Sequence, residues 1–268
     1  MFPIRVHGPA PRSNKLVFPK FREYHIARTA HEVQMNAARH NNATEASVDM
    51  QAIFASGGFK DVYRGIYTKG NRTGQLCVHK CFRSGAVYEN SFFDHELDVV
   101  TKAMEIINKF NAENVVNPTV YLNQPEIWKV KEGSSFAGQK VIVEPMIKNF
   151  VKYNSNSGWT PQNSGVSWTG VMQALSHFSY HASGGAFVLC DLQGGSYGKD
   201  VVLTDPVILS RDHRFGPTDL GPKGITTFFS QHVCNQYCRG AWTKPAKCRQ
   251  VLYVAKGTSM CMPPPKNG

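Results

Sequence analysis

Two aspartates that each close an apolar run are the first residues whose type and spacing suggest chemistry. The run Ala186 to Cys190 leads into Asp191-Leu192-Gln193-Gly194-Gly195, and Val201 to Leu203 ends in Thr204-Asp205-Pro206. Ends of strands opening onto loops are where a rigid scaffold meets solvent. Two carboxylates and a neutral amide oxygen make a hard oxygen donor set of the kind Mg²⁺ takes together with substrate phosphates. Turn chemistry competes with this reading, because Asp-x-x-Gly and Asp-Pro cap turns without any ligand. Spacing does not separate the two, nor does it separate a base from a metal ligand.

A second constellation is His232, Cys234 and Cys238. Cysteines at i, i+4 predict one shared helix face, with His232 near enough to join them in holding zinc. Three such ligands need a fourth. On the helix expected from Trp168 to Phe178, both His177 and His181 point away from the apolar stripe, and periodicity does not choose between them. The competing reading is of cysteines as small buried hydrophobes and histidines as surface groups.

Lys80 is the third candidate. On a strand from Gln75 to Phe82, alternation puts Leu76, Val78, Lys80 and Phe82 on one face, so an ammonium sits among apolar neighbours and needs an anion. A phosphate would serve, and so would a helix glutamate such as Glu96 or Glu105. Gly57-Gly58 precedes it as the turn into paired strands over Ile53 to Lys69.

The elements that must position these residues follow from the same string. Phe93, Leu97, Val100, Met104, Ile107 and Phe110 fall at helical spacing, and Phe21 to His40 has few breakers and reads as partly helical before a polar connection, Asn41 to Glu45. Val141 to Val143 predicts a strand ending in Glu144-Pro145. The Asn-, Ser- and Gly-rich stretch Lys152 to Trp159 predicts a loop, with a lobe boundary nearby. The stripe Trp168, Val171, Met172, Leu175 and Phe178 predicts a helix stopping at Gly184-Gly185.

Composition bounds the classes. Of 268 residues 41% are hydrophobic and 18% charged, as in a folded globular chain, and no apolar run approaches the roughly 20 residues needed to span a bilayer. With no secretory pattern at the N-terminus, the expected compartment is the cytoplasm and no membrane partner is expected. Seven cysteines, an odd number in a chain this long, do not form a disulfide framework, so reduced thiols are expected. The net charge of +11 suits anionic partners. Its basic residues are scattered, not interleaved with aromatics in blocks, so a nucleic-acid partner is not expected.

Seven strings, taken in order, resemble the α-kinase family, the atypical group that includes myosin heavy chain kinase, elongation factor two kinase and the channel kinases. They are Gly57 to Arg64, Cys77 to Lys80, Glu144-Pro145 with Lys152 to Asn154, Asp191 to Gly194, Leu203 to Pro206, Phe215 to Gly221, and His232-x-Cys234-x-x-x-Cys238. The match covers about Gly57 to Arg239. The resemblance implies an α+β, two-lobed protein-kinase-like fold with an ATP cleft between the lobes and a structural zinc site in the C-terminal lobe. It suggests an N-terminal extension over 1–45, an N-terminal lobe over 46–147, a catalytic lobe over 148–255 and a Pro-rich tail over 256–268.

Roles follow from the resemblance residue by residue. Asp191 matches the aspartate beside the substrate hydroxyl, and Gln193 and Asp205 match the magnesium ligands. Lys80 would hold the ATP α/β-phosphates. Gly57, Gly58 and Lys60 would cover the phosphates, with Lys60 standing where the family has an arginine and so offering a point charge in place of a planar fork. The carbonyl of Glu144 and the N–H of Met146 would face adenine, since Pro145 between them has no N–H. Gly216, Asp219 and Gly221 belong to a loop that docks the protein substrate. The fourth zinc ligand would be His177, fourteen residues before Asp191. The implied activity is serine/threonine protein kinase, with ATP, Mg²⁺ and zinc as cofactors and a protein of unknown identity as substrate. The alternatives are an inactive zinc-stapled pseudokinase or binding module, and a basic nucleic-acid-binding protein.

Overall fold

The computed structural model describes residues 15–17, 38–132, 136–161, 167–256 and 259–261. In chain order the strands begin with β1 (Lys15–Val17), β2 (Ala38–Arg39), β3 (Ala43–Ser56), β4 (Lys60–Gly70) and β5 (Leu76–Phe82). Helix α1 (Asp94–Ala112) follows, then β6 (Val120–Asn123), β7 (Glu126–Lys129), β8 (Lys140–Pro145) and β9 (Val151–Lys152). Helix α2 (Ser167–Ala182) leads to β10 (Phe187–Cys190), β11 (Gln193–Tyr197), β12 (Asp200–Thr204), β13 (Val207–Ser210) and α3 (Gly221–Gln231). Most of the helix expected over Phe21 to His40 lies outside the described residues, as does the Pro-rich stretch from 262 onward. Where description resumes, Ala38–Arg39 is a strand, and Ala43, inside the expected polar connection, already begins β3.

The chain divides into two compact units. The first takes β1, Asn42–Tyr88 and Ile127–Val143 and is built on a sheet ordered β1-β3-β4-β5-β8-β7. Gly57 and Gly58 make the turn of the β3–β4 hairpin, where the Gly57 N–H donates to the Lys60 carbonyl at 2.8 Å. One face of this sheet is covered by Ala46, Val48, Tyr67, Cys77, Trp128 and Val143. On β5, Cys77 faces this cluster, and the expected alternation puts Lys80 on the opposite face with the buried Val78, while Leu76 on that face is 41% exposed. Lys80 is nevertheless buried, at 4% exposure.

The second unit holds β2, Glu89–Glu126 and the chain from Glu144 on. Its sheet is ordered β2-β6-β12-β11-β9, beside the antiparallel pair β10–β13. Helix α1 carries Asp94 and Glu96 in its first turn, where the helix dipole favours negative charge. Its buried stripe is Val99, Val100, Ala103, Ile106, Ile107 and Phe110, so the core face is rotated from the expected one and Leu97 and Met104 are only half-buried. Helix α2 is buried on nearly every side from Val171 to Tyr180. Among the described residues no helix is long and apolar enough to cross a membrane.

The stretch after Lys152 carries no helix or strand, as expected of a loop, yet Tyr153 to Gly158 are buried. Asn154, Ser155, Asn156 and Ser157 are each 0% exposed. Their polarity is matched internally: Asn154 Nδ2 donates to Ser176 Oγ at 3.0 Å, and Ser155 Oγ accepts from the Trp159 N–H at 3.1 Å. Buried polar groups are tolerated when every one has a partner, and composition does not reveal partners.

Candidate active site and metal cluster

The two aspartates lie at the same end of one hairpin. Strands β11 and β12 pair antiparallel with Gln193 opposite Thr204, so Asp191 just precedes the pair and Asp205 just follows it. Strand β9 adds Lys152 opposite Gln193. Both aspartates have left-handed backbone, φ +56° at Asp191 and +45° at Asp205, a conformation that Asp adopts more readily than most residues. The amide of Asn154 fixes the entry to this corner, accepting from the Leu192 N–H at 2.9 Å.

Asp191 is 2% exposed, and its carboxylate is engaged at both oxygens. Lys152 Nζ lies 2.7 Å from Oδ1 and the Ser259 hydroxyl donates to Oδ2 at 2.5 Å. Burial pushes the acid above the usual carboxylate range, Lys152 and Ser259 pull it back, and the charge of Asp205 raises it further. The result is a more basic carboxylate than a surface aspartate. Asp205 itself is exposed, and Gln193, whose Nε2 donates to the Asp205 carbonyl at 3.3 Å, is half-buried. An exposed carboxylate beside an amide side chain provides oxygen donors facing solvent.

Glu144 is turned inward. Its Oε2 accepts from Thr204 Oγ1 at 2.8 Å, and the neighbouring Pro145 carbonyl accepts from Asn123 Nδ2 at 2.9 Å. The loop from Phe215 to Gly221 is organised by Asp219, which is 0% exposed. Its carboxylate accepts from the Ser210 N–H at 2.8 Å, the Ser210 hydroxyl at 2.5 Å and the Gly221 N–H at 3.0 Å. Gly221 has φ +62°, and a Cβ there would lie 2.0 Å from the His213 ring, so no other residue fits without moving that ring. In the first unit, Lys60 Nζ stands 5.3 Å from the centre of the Phe82 ring. A Cβ placed on Gly57 would come no closer than 3.7 Å to a neighbouring atom, and one on Gly58 would meet nothing within 4 Å, so packing does not demand glycine at either position.

The residues of the His/Cys constellation do converge. The ligand atoms of His177, His232, Cys234 and Cys238 all lie within 4.8 Å of one another. Cys234 Sγ is 3.5 Å from His177 Nδ1, and His232 Nε2 is 3.8 and 3.9 Å from the sulfurs of Cys234 and Cys238. Zinc bond lengths in a tetrahedron imply ligand separations of about 3.4–3.8 Å. Each imidazole has its other nitrogen engaged, His177 Nε2 by the Thr243 carbonyl at 3.1 Å and His232 Nδ1 by Gln173 Oε1 at 3.2 Å. Both partners are acceptors, which places the ring proton outward and leaves a lone pair facing the sulfurs. Burial lowers both imidazoles, His232 to about 4, so both are neutral near pH 7. His181 instead bonds Thr243, its Nδ1 accepting from the Thr243 N–H at 3.3 Å.

The expectation of a shared helix face for the cysteines is corrected. Helix α3 ends at Gln231, His232 is extended at ψ 122°, and Cys234 to Cys238 form a turn. Asn235 closes it, its Oδ1 accepting from the Tyr237 N–H at 2.9 Å and its carbonyl from the Cys238 N–H at 3.0 Å. An Asn two residues before a bonded N–H is an Asx turn, a signal the sequence carried. Sequence reasoning also gave no role to Lys152, Asn154 or Gln173. Lys152 and Asn154 stood in the family-like strings, while Gln173, one helical turn before His177, had only its spacing to mark it.

Comparison with known proteins places this geometry. An α-kinase from Entamoeba histolytica superposes with a TM-score of 0.61 at 25% identity, covering 81% of this chain and 85% of its own. The α-kinase domain of myosin heavy chain kinase A in complex with ADP shares the fold at 18% identity and a TM-score of 0.60, over 84% of this chain and 93% of that one. The fold is therefore the α+β kinase-like fold of those domains. Among curated proteins, the Dictyostelium discoideum α-protein kinase vwkA is 41% identical over 91 residues, 34% of this chain and 14% of that protein. Human transient receptor potential cation channel subfamily M member 6 is 38% identical over 173 residues, 60% of this chain and 8% of that protein. The matches thus span a small part of these relatives. The family model for α-kinases matches residues 55–238, which include the hairpin aspartates and the whole His/Cys cluster, and the chain belongs to the α-kinase family.

Proposed function

We propose that this chain is a serine/threonine protein kinase that transfers the γ-phosphoryl group of ATP to a hydroxyl of a protein substrate. The observation that carries the reading is the hairpin corner, where a buried, more basic Asp191 stands beside Gln193 and the exposed Asp205. Asp191 would accept a hydrogen bond from the acceptor hydroxyl and align it, the alignment supplying most of what a protein can add to phosphoryl transfer. Mg²⁺ would supply charge neutralisation on the phosphates, held by Gln193 and Asp205, whose oxygens suit it. Lys152 would keep Asp191 ionised and oriented.

In the first unit Lys80 would bind the α/β-phosphates, with Gly57, Gly58 and Lys60 above them. Glycines that no packing contact requires fit a role in admitting a ligand close to the backbone. The Glu144 carboxylate is committed to Thr204, and the Glu144 carbonyl and the Met146 N–H would face adenine. Asp219 would act inside the substrate-docking loop, fixing Gly216 to Gly221, and not as a substrate contact. His177, His232, Cys234 and Cys238 would hold zinc in a closed four-ligand site, structural because no position is left for a substrate. The free cysteines suit the reducing cytoplasm.

Incubation with labelled ATP and Mg²⁺, followed by acid hydrolysis, tests reaction and residue preference together. Phosphoserine or phosphothreonine is expected from the wild type and neither from Asp191→Ala. Transfer by a folded Asp191→Ala chain at the wild-type rate would remove the hairpin from the mechanism.

A further inference from the structure

The end of the described chain returns to the hairpin corner. After α3 the chain is tied down by Thr227 Oγ1, which accepts from the Val251 and Leu252 N–H groups at 3.1 and 3.0 Å, and by Ser157 Oγ, which accepts from the Ala255 N–H at 2.9 Å. It then places Ser259 with its hydroxyl on Asp191 Oδ2. The next residue is held by one side chain at both ends of its main chain. Asn156 Oδ1 accepts from the Met260 N–H at 2.8 Å, and Asn156 Nδ2 donates to the Met260 carbonyl at 2.8 Å. Asn156 is 0% exposed and its Nδ2 also donates to the Thr218 carbonyl, at 2.9 Å, in the Phe215–Gly221 loop. The Met260 side chain packs on the cluster of Val188, Leu209, Leu220, Phe228 and Phe229.

These contacts have the form of an occupied acceptor site. A hydroxyl donates to the carboxylate, the following main chain is clamped by an amide that reads no side chain, and the following side chain is received by apolar groups. The clamp would accept any L-residue except proline, which lacks the N–H. The apolar cluster selects for size and hydrophobicity, since an ionised side chain placed there would be desolvated without a partner.

We propose that Ser259–Met260 is seated as an intramolecular substrate: Ser259 is a site of phosphorylation in cis, and the seat selects protein substrates whose acceptor hydroxyl residue is followed directly by a large apolar residue. This rests on the kinase reading above. In the step, Ser259 Oγ forms a bond to the γ-phosphorus of ATP, the bond from that phosphorus to the β–γ bridging oxygen breaks, and ADP leaves with the electron pair. The hydroxyl proton passes to Asp191 Oδ2 and on to solvent. The phosphoserine so formed carries a charge of about −1.5 to −2 beside the Asp191 carboxylate, and repulsion drives the tail out of the seat and opens it to other acceptors.

The test uses the purified chain with Mg-ATP over a wide range of dilution, with phosphopeptide mapping by mass spectrometry and casein as a general acceptor in parallel. Phosphate on Ser259 is expected at a rate per molecule that does not fall on dilution, and Asn156→Ala should slow it by about tenfold or more through the loss of the two hydrogen bonds to Met260. In a second arm, the Ser259→Ala chain is given two synthetic peptides of the tail sequence with Ser259 retained, one with Met260 and one with aspartate in its place. The methionine peptide should have the lower KM by at least about tenfold, the effect of one buried apolar side chain. If casein is labelled while Ser259 stays unmodified, or if the two peptides are used alike, the seat is not an acceptor site and the kinase reading stands. If neither casein nor the tail is labelled, the kinase reading fails and this inference with it.

Discussion

The second unit contains two polar clusters, built from different side chains, that end in opposite conditions. At the His177, His232, Cys234 and Cys238 cluster, both imidazoles are buried and both outward nitrogens are already engaged, by Thr243 and Gln173. At the hairpin corner, Asp191 is equally buried, yet its partners are an ammonium on a long stem and a hydroxyl of the tail, and Asp205 beside it faces solvent. The first cluster turns every donor toward its own centre. The second leaves a charged oxygen at the surface and a basic carboxylate behind it. Closure suits a cross-link, and an open edge suits a reaction.

That contrast can be broken most sharply at Asp191. Asp191→Asn keeps the shape and removes the charge, and it should lower kcat by about 10²–10⁴-fold while the thermal midpoint barely moves. A large drop in the midpoint with activity retained would show that the corner serves the fold. Chelation, or Cys234→Ser, should do the reverse. With zinc at about a thousand times its dissociation constant, removal costs about 4 kcal/mol, or on the order of 10 °C in Tm for a domain of this size. Calorimetry with and without chelator checks this, with kcat per folded molecule expected to hold.

Gln173→Ala sharpens the comparison, since it touches no ligand atom of the cluster except through His232. It should weaken metal binding by about 10–100-fold, read by competition with a zinc indicator, while His181→Ala leaves the affinity unchanged. The smallest effect is expected at Lys152. In the proposed role Asp191 works deprotonated, and burial raises it above the ordinary aspartate value, so activity should fall on the acid side at a higher pH than a surface aspartate would give. Lys152 opposes this shift, so Lys152→Met should move the acid limb of the pH–rate profile further up. An acid limb that moves down, or not at all, would mean that Lys152 does not act through Asp191.

How far the sequence could be read depended on whether a residue's role was local. Strand ends at Asp191 and Asp205 were visible because an apolar run followed by Asp-x-x-Gly or Asp-Pro is a statement about adjacent residues. The α1 stripe was visible for the same reason, although the face it turns inward was set by what it packs against. The Asn154 to Ser157 stretch was legible as a loop, but its burial was not, because that depends on Ser176, Thr218 and the tail, all distant along the chain. Periodicity could offer His177 and His181 equally. The family resemblance chose His177, and the fold brings that residue to the sulfurs and His181 to Thr243.

The hairpin that carries Gln193 also constrains how this gene can drift. A Cβ at Gly194 would fall 1.9 Å from the Val202 carbonyl oxygen, and one at Gly195 would fall 2.1 Å from that of Lys148. These are main-chain atoms, which cannot swing aside as the end of a long side chain can. Every missense change of a glycine codon adds at least that carbon. Lineages that keep the hairpin are therefore held to glycine at both codons by geometry alone, whether or not the site beside them still turns over, so glycine retained there is no record of activity.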